Sequence, residues 1–221
     1  MLNGVITVAK GTLLLSGGID SPVAGHLMAT EGTDVLALHC SLEPFTDSAP
    51  EEKSRRIAET LGFSAFYVAH LGDALAEIAR KARRRYYFVL SKRLMFRVAE
   101  ALAHRQAAKF LITGESLGQV SSQTLWNLRA IEAAVDLPVY RPLIGWDKVD
   151  IVREAEAIGT YPISVGPEVC DVLGPAHPTT RAKLEVVEAE ETRLPYDALL
   201  EGSLATLKET TLTAAPVAEA K

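Results

Sequence analysis

The chain has 221 residues, a formal net charge of −5 and a hydrophobic content of 48%, which fits one well-buried α/β domain with a short appendage. Its apolar runs are strand-sized and MLNGVITVAK lacks the regions of a secretory signal, so neither a membrane span nor export is expected. Two cysteines, Cys40 and Cys170, are too few for a disulfide scaffold, which points to a reducing, cytoplasmic compartment.

In chain order, residues 4–9 are a candidate edge strand, turned through Lys10 and Gly11 into an apolar strand over 12–15. The chain then enters Ser16-Gly17-Gly18 and leaves through Asp20 and Ser21. Adjacent glycines permit a sharp turn and bring successive N–H groups close to a ligand. Ser16 and Ser21 add hydroxyl donors. Pro22 suits the first position of a helix over 22–31, whose positive end points back into the loop. Together these make an anion cradle at a strand–loop–helix junction. Neither GxxxxGK[ST] nor GxGxxG is present.

Further strands are predicted over 34–40, 63–69, 110–113 and 139–143, with helices over 51–61, 122–135 and 147–158. Gly32, Gly62 and Gly159 stand where helix-terminating glycines belong. The helical pattern from Asp73 to Ala108 is too long for one compact helix, and a break is expected at 86–91. Between Ile78 and Ala99 it carries eight basic residues and no acidic ones: Arg80, Lys81, Arg83, Arg84, Arg85, Lys92, Arg93 and Arg97. Beside a phosphate-binding loop, that stretch reads as a surface facing a polyanion. The polar loop 113–124 offers Ser121 or Ser122 as a helix N-cap. After Arg193 the pattern decays. Residues 1–195 are therefore read as one catalytic domain and 196–221 as a partly disordered extension. The alternation implies a doubly wound, mostly parallel α/β sheet that binds ligands beyond the carboxyl ends of its strands.

SGGIDS at 16–21 resembles the PP-loop of ATP pyrophosphatases, which split ATP into AMP and pyrophosphate while activating a carbonyl-type oxygen. With TGESLGQVSSQT at 113–124 and RPLIGWDK at 141–148, the chain is similar to the PP-loop domain of the tRNA 4-thiouridine synthetase family, also termed tRNA sulfurtransferase or thiamine biosynthesis proteins, over about 12–183. The resemblance implies an adenine nucleotide alpha-hydrolase-like fold with ATP and Mg²⁺ as cofactors. It places nucleotide contacts on Leu14, Leu15, the loop residues Ser16, Gly17, Gly18 and Ser21, the backbone at His39 and Cys40, Lys92, Gly114 and Gln123. Strand ends would offer N–H and C=O groups to adenine, Lys92 would meet phosphate charge, Gly114 would admit the base, and Gln123 would exchange hydrogen bonds with it.

Asp20 and Lys148 match positions that the family needs for activity. Asp20 would hold Mg²⁺ across the phosphates, and Lys148 would neutralise the α-phosphate as pyrophosphate departs. Cys170 matches the cysteine of the family's PEYC-like segment and would carry a persulfide. Cys40, ending an apolar strand, reads as a small buried hydrophobe, with a second-thiol role if the fold brings it near Cys170. The five histidines lack metal-ligand spacing, so no zinc site is expected. The implied reaction is attack of a tRNA uridine O4 on the α-phosphorus, then displacement of AMP by persulfide sulfur. A stand-alone form without THUMP and rhodanese domains is expected. A separate RNA-binding partner or domain would then deliver tRNA, and a cysteine desulfurase or sulfide would supply sulfur. A homodimer remains open. Two other readings stand beside it: sulfur transfer to a small metabolite or carrier protein, and a non-catalytic nucleotide-binding subunit of an RNA-modifying complex.

Overall fold

A computed structural model describes residues 8–166 and 172–212. In chain order the elements are β1 (Lys10–Leu14), α1 (Asp20–Thr30), β2 (Asp34–Ser41), α2 (Ala49–Thr60), β3 (Ala65–His70) and α3 (Gly72–Lys81). A single 3-10 turn at Arg84–Tyr86 leads into α4 (Tyr87–Arg105), β4 (Phe110–Ile112), α5 (Leu125–Glu132), β5 (Val139–Tyr140), α6 (Lys148–Ala157) and α7 (Tyr161–Ser164). The chain finishes through α8 (Leu184–Glu191), α9 (Tyr196–Ala205) and β6 (Lys208–Thr210).

The six strands lie in the order β5-β4-β1-β2-β3-β6, five of them parallel and β6 antiparallel to β3. Successive connections run outward from β1 in both directions, so the crevice beside β1 is the topological switch point where such sheets bind ligands. Period-two alternation divides the strands between two faces. Leu36, Leu38, Tyr67 and Leu111 pack with α3, α4 and α8 on one face. Leu13, Ala37, Phe66, Val68 and Ile112 pack with α1, α2 and α6 on the other. With both faces covered, the strands read as near-continuous apolar runs.

Several boundaries differ from the sequence expectation. Lys10 and Gly11 are not a turn but the start of β1, where a Cβ on Gly11 would meet the Phe110 ring at 2.5 Å. The break in the long helical stretch falls at residues 82–86, earlier than expected. Ala82 turns extended there, and buried Glu190 of α8 accepts the Arg83 N–H at 2.7 Å. The aromatic run beginning at Tyr86 instead starts α4 by burying Tyr86 and Tyr87. The N-cap of α5 is Thr124, whose hydroxyl accepts the Asn127 N–H, rather than Ser121 or Ser122. Residues 196–212, assigned from the sequence to an extension, contain α9 and β6. Tyr67 Oη donates to Glu209 Oε2 at 3.2 Å and His70 N–H donates to Thr206 Oγ1 at 2.9 Å, joining this segment to β3.

Candidate functional site

The loop between β1 and α1 is closed by its own serines. Ser16 N–H donates to Ser21 Oγ at 2.9 Å, the two hydroxyl oxygens lie 3.1 Å apart, and Gly18 N–H donates to Ser16 Oγ at 3.3 Å. The hydroxyls thus shape the loop before any ligand binds. Helix α1 starts at Asp20, and its N-cap Ile19 supplies no side-chain bond. Its first-turn N–H groups, which lack intrahelical partners, therefore suit an anion. Helix α2 docks against the loop: a Cβ on Gly17 would stand 3.2 Å from Lys53 Cβ. Ser164 of α7 donates to Gly18 O at 3.2 Å. Gly114, expected to admit the base, instead admits the start of α1, because a Cβ there would lie 2.5 Å from Ser21 N. The loop after β4 is pressed against the start of α1 at this point.

Asp20 and Lys148, 128 residues apart, meet as an ion pair between the start of α1 and the start of α6. Mg²⁺ commonly takes one or two protein carboxylates and completes its shell with water and substrate phosphate oxygens. Among the described residues no three His, Cys, Asp or Glu side chains cluster to hold a metal. The Asp20 carboxylate fits Mg²⁺ only as a companion to a bound polyphosphate.

Lys92 is also engaged. Its ammonium lies 2.6 Å from Oε1 of buried Glu115, whose Oε2 accepts from Arg141 Nε at 2.9 Å. Burial alone would raise the Glu115 carboxyl, but the Lys92 and Arg141 charges outweigh it and hold the group below the usual carboxylate range. The backbone at Leu15 is not free for adenine either. Its N–H donates to Leu38 O at 2.8 Å, and its carbonyl lies 3.1 Å from His39 Nδ1. Pairing of β1 with β4 ends at Leu13, one residue before Leu14. Gln123 is buried and its Oε1 has no hydrogen-bond partner among the described residues, so an acceptor waits in the loop after β4. Burial lowers His39 to about 4 against the modest opposing effect of the Leu15 carbonyl, leaving a neutral ring that also contacts Ser54 Oγ at 3.0 Å. Cys40 packs against the core and burial pushes its thiol up to about 12. Cys170 lies outside the described residues.

Most of the basic stretch is paired with carboxylates, although Arg80, Lys81, Arg83, Arg84 and Arg85 stay exposed. Arg80 and Lys81 pair with Glu77, Arg83 with Glu190, Lys92 with Glu115, and Arg93 and Arg97 with Glu191. Arg93 is only 1% exposed. Arg93 and Arg97 hold α8 onto α4, Arg83 joins α8 to the turn before α4, and only Arg84 and Arg85 are without an acidic partner among the described residues. The expected polyanion-facing surface therefore narrows to the exposed residues of segment 80–85, while Lys92, Arg93 and Arg97 are taken up by carboxylates.

Residues 6–196 match the family model described as "Thiamine biosynthesis protein (ThiI)". The chain belongs to the ThiI family. A probable tRNA sulfurtransferase of Thermus thermophilus is 48% identical over 193 residues, covering 85% of this chain and 48% of that protein. Its counterpart in Alkaliphilus oremlandii is 41% identical over 208 residues, covering 91% and 53%. A crystal structure of a 4-thiouridine synthetase–RNA complex with bound ATP superposes with a TM-score of 0.88 at 36% identity, over 93% of this chain and 55% of that one. The chain spans about half the length of the relatives it matches.

The ThiI-family resemblance marks Asp20, Lys148, Ser16, Ser21 and Gly114, and the fold brings these five together around the start of α1. Sequence reasoning missed Glu115, Arg141, Lys53 and Ser164. Glu115 lies inside the TGESLGQ run, where a charged residue among small polar ones was the available signal. Lys53 and Ser164 reach the loop from α2 and α7, and nothing in the local pattern announces that approach.

Proposed function

We propose that this chain is the ATP-using unit of a tRNA sulfurtransferase, which adenylates a uridine O4 and replaces that oxygen with sulfur to give 4-thiouridine, releasing AMP and pyrophosphate. The observation that carries the reading is the Asp20–Lys148 pair beside the uncapped start of α1, in a fold superposable on a 4-thiouridine synthetase with bound ATP. Backbone N–H groups of Gly17, Ile19 and Asp20 hold the polyphosphate, while those of Ser16 and Gly18 stay with the loop's own hydroxyls. Asp20 holds Lys148 at the loop before ATP arrives, and Lys148 then balances the charge that builds as pyrophosphate departs. Mg²⁺, carried by Asp20 and phosphate oxygens, would supply further neutralisation. Gln123 Oε1 accepts from the adenine amino group or a ribose hydroxyl.

Cys170 carries the persulfide. Its outer sulfur bonds to C4 as AMP leaves with the C4–O electrons. The resulting S–S bond to Cys170 is then cleaved by an external dithiol, which supplies two electrons. Cys40 does not serve as that thiol, because it packs against the core and stays protonated. A cysteine desulfurase or sulfide supplies the sulfur, and a separate RNA-binding domain or partner delivers the tRNA.

The test is mass spectrometry of nucleosides from tRNA incubated with the protein, ATP, Mg²⁺ and sulfide. 4-Thiouridine should form, and Asp20→Ala should lower pyrophosphate release about a hundredfold or more without loss of helical circular dichroism. Cys170→Ser should still adenylate tRNA and lose only persulfide-dependent thiolation, with sulfide restoring it. Full activity in Asp20→Ala would sink the reading. The engagement of six of the eight basic residues by carboxylates of the chain itself favours one rival, a small metabolite or carrier protein as acceptor. AMP release with such acceptors and none with tRNA would select it.

A further inference from the structure

Beyond the crevice, α5 and the segment leading into α8 enclose a cleft of about 260 Å³. Trp126 and Arg129 line it from α5, with Lys183 and Glu185 facing them across the cleft. Trp126 lies three residues after Gln123 and remains 42% exposed, while the Arg181 guanidinium stands 4.7 Å from its ring centroid. A large indole left in water and overlaid by a guanidinium contributes little to a core. In contrast to the Arg80–Arg97 stretch, no ion pair engages Arg129, Arg181 or Lys183 among the described residues. Two such cations in the lining, Arg129 and Lys183, with Arg181 over the adjoining indole, outnumber the carboxylate of Glu185 and leave the cleft positive.

Its walls are also fixed. Asn127, fully buried, donates through Nδ2 to Ser121 O at 2.7 Å and Thr179 O at 2.8 Å, and its Oδ1 accepts the Ala182 N–H at 2.9 Å. Thr124 Oγ1 donates to Thr180 O at 2.6 Å. One amide therefore joins the loop that carries Gln123 to the segment that carries Arg181 and Lys183. A site held in place before binding loses little freedom on association.

We propose that this cleft binds an unpaired nucleotide of an RNA strand, its base stacked on Trp126 and Arg181 and its phosphates met by Arg129 and Lys183. Stacking on an indole with flanking cations is the chemistry of single-stranded nucleic acid, whereas an acidic peptide would use the cations and leave the indole in water. Duplex RNA hides its base faces and cannot stack here. The strand would then run past the start of α5 toward Gln123. The proposal rests on tRNA being the acceptor, and it adds a contact outside the ATP crevice.

The chain has two tryptophans, so Trp146→Phe leaves Trp126 as sole indole reporter. Single-stranded oligoribonucleotides titrated into the 221-residue Trp146→Phe protein should quench that emission saturably. In the otherwise unchanged protein, Arg129→Ala and Lys183→Ala should each weaken binding about tenfold and reduce the logarithmic salt slope by about 0.7. Trp126→Phe, with Trp146 retained, should bind the strand more weakly while keeping the fold. Quenching by AMP alone at equal concentration, equal quenching by duplex RNA, or strand binding with no quenching would each overturn the cleft. If strand binding and tRNA-dependent pyrophosphate release persist without quenching, the cleft is wrong and the proposed function survives. If quenching is seen but tRNA elicits no pyrophosphate release, the reverse holds.

Discussion

Lys92 of α4 and Arg141 after β5 converge on the Glu115 carboxylate at 2.6 and 2.9 Å, and Arg141 reaches Glu132 at 2.5 Å as well. Glu115 is 4% exposed, so its removal would leave two cations facing each other with little water between them. Glu115→Gln should cost about 3 kcal/mol of stability in urea unfolding. It should also raise the KM for ATP more than it lowers kcat, because Lys92 loses the anchor that holds it near the crevice. A variant with wild-type KM would make the network purely structural. At this scale the sequence was half legible. Asp20 and Lys148 were marked by their motifs, and their pairing agrees with a shared task. Glu115 stood inside a marked motif and was passed over, because its partners lie 23 and 26 residues away and charge complementarity over such separations leaves no local pattern. The hydroxyls of Ser16 and Ser21 were read as ligand donors, yet they first bind each other.

Among the elements, β1, β2 and α2 are joined through one imidazole. His39 Nδ1 lies 3.1 Å from Leu15 O just after β1 and 3.0 Å from Ser54 Oγ in α2, and Ser54 Oγ donates to Pro50 O at 2.8 Å. Burial depresses its pKa to about 4 from 6.5. Above pH 6.5 the ring is neutral in both folded and unfolded chains and contributes no pH dependence. Between pH 6.5 and about 4 only the unfolded chain takes up the proton, so stability falls as the pH drops, by about 3 kcal/mol over the window. His39→Asn, which keeps a donor near Nδ1, should flatten this part of the curve. Urea midpoints of the two proteins at pH 7 and pH 4.5 measure the difference. Equal slopes would show that the ring is not held neutral. The elements themselves were legible wherever an apolar run met a glycine or a charged helix: five parallel strands stand where the alternation put them. Boundaries were lost where a distant side chain decides them, as when Glu190 takes the Arg83 N–H, or where a hydroxyl two residues further on, that of Thr124, wins the cap.

Across the whole molecule, charge was the property least readable in one dimension. The concentration of arginines before and within α4 suggested an open basic face. Folding supplies Glu190 and Glu191 from about a hundred residues away and draws Arg83, Arg93 and Arg97 into a seam with α8. The C-terminal residues were misread for a related reason, since α9 and β6 depend on contacts with α3, α4 and β3 rather than on a strong pattern of their own. That last strand has a colloidal consequence. Without β6, the outermost strand would be β3, whose AFYVAH run carries no charged residue other than a histidine and would present an open row of amides to another chain. The strand that covers it instead shows Lys208 and Glu209 to solvent, side chains that discourage further addition. A chain ending at Pro195 should therefore retain its parallel sheet yet self-associate, scattering light increasingly with concentration where the 221-residue protein does not. Equal scattering from both would leave β6 a passive passenger. Otherwise, these few residues keep neighbouring molecules apart in a crowded cell.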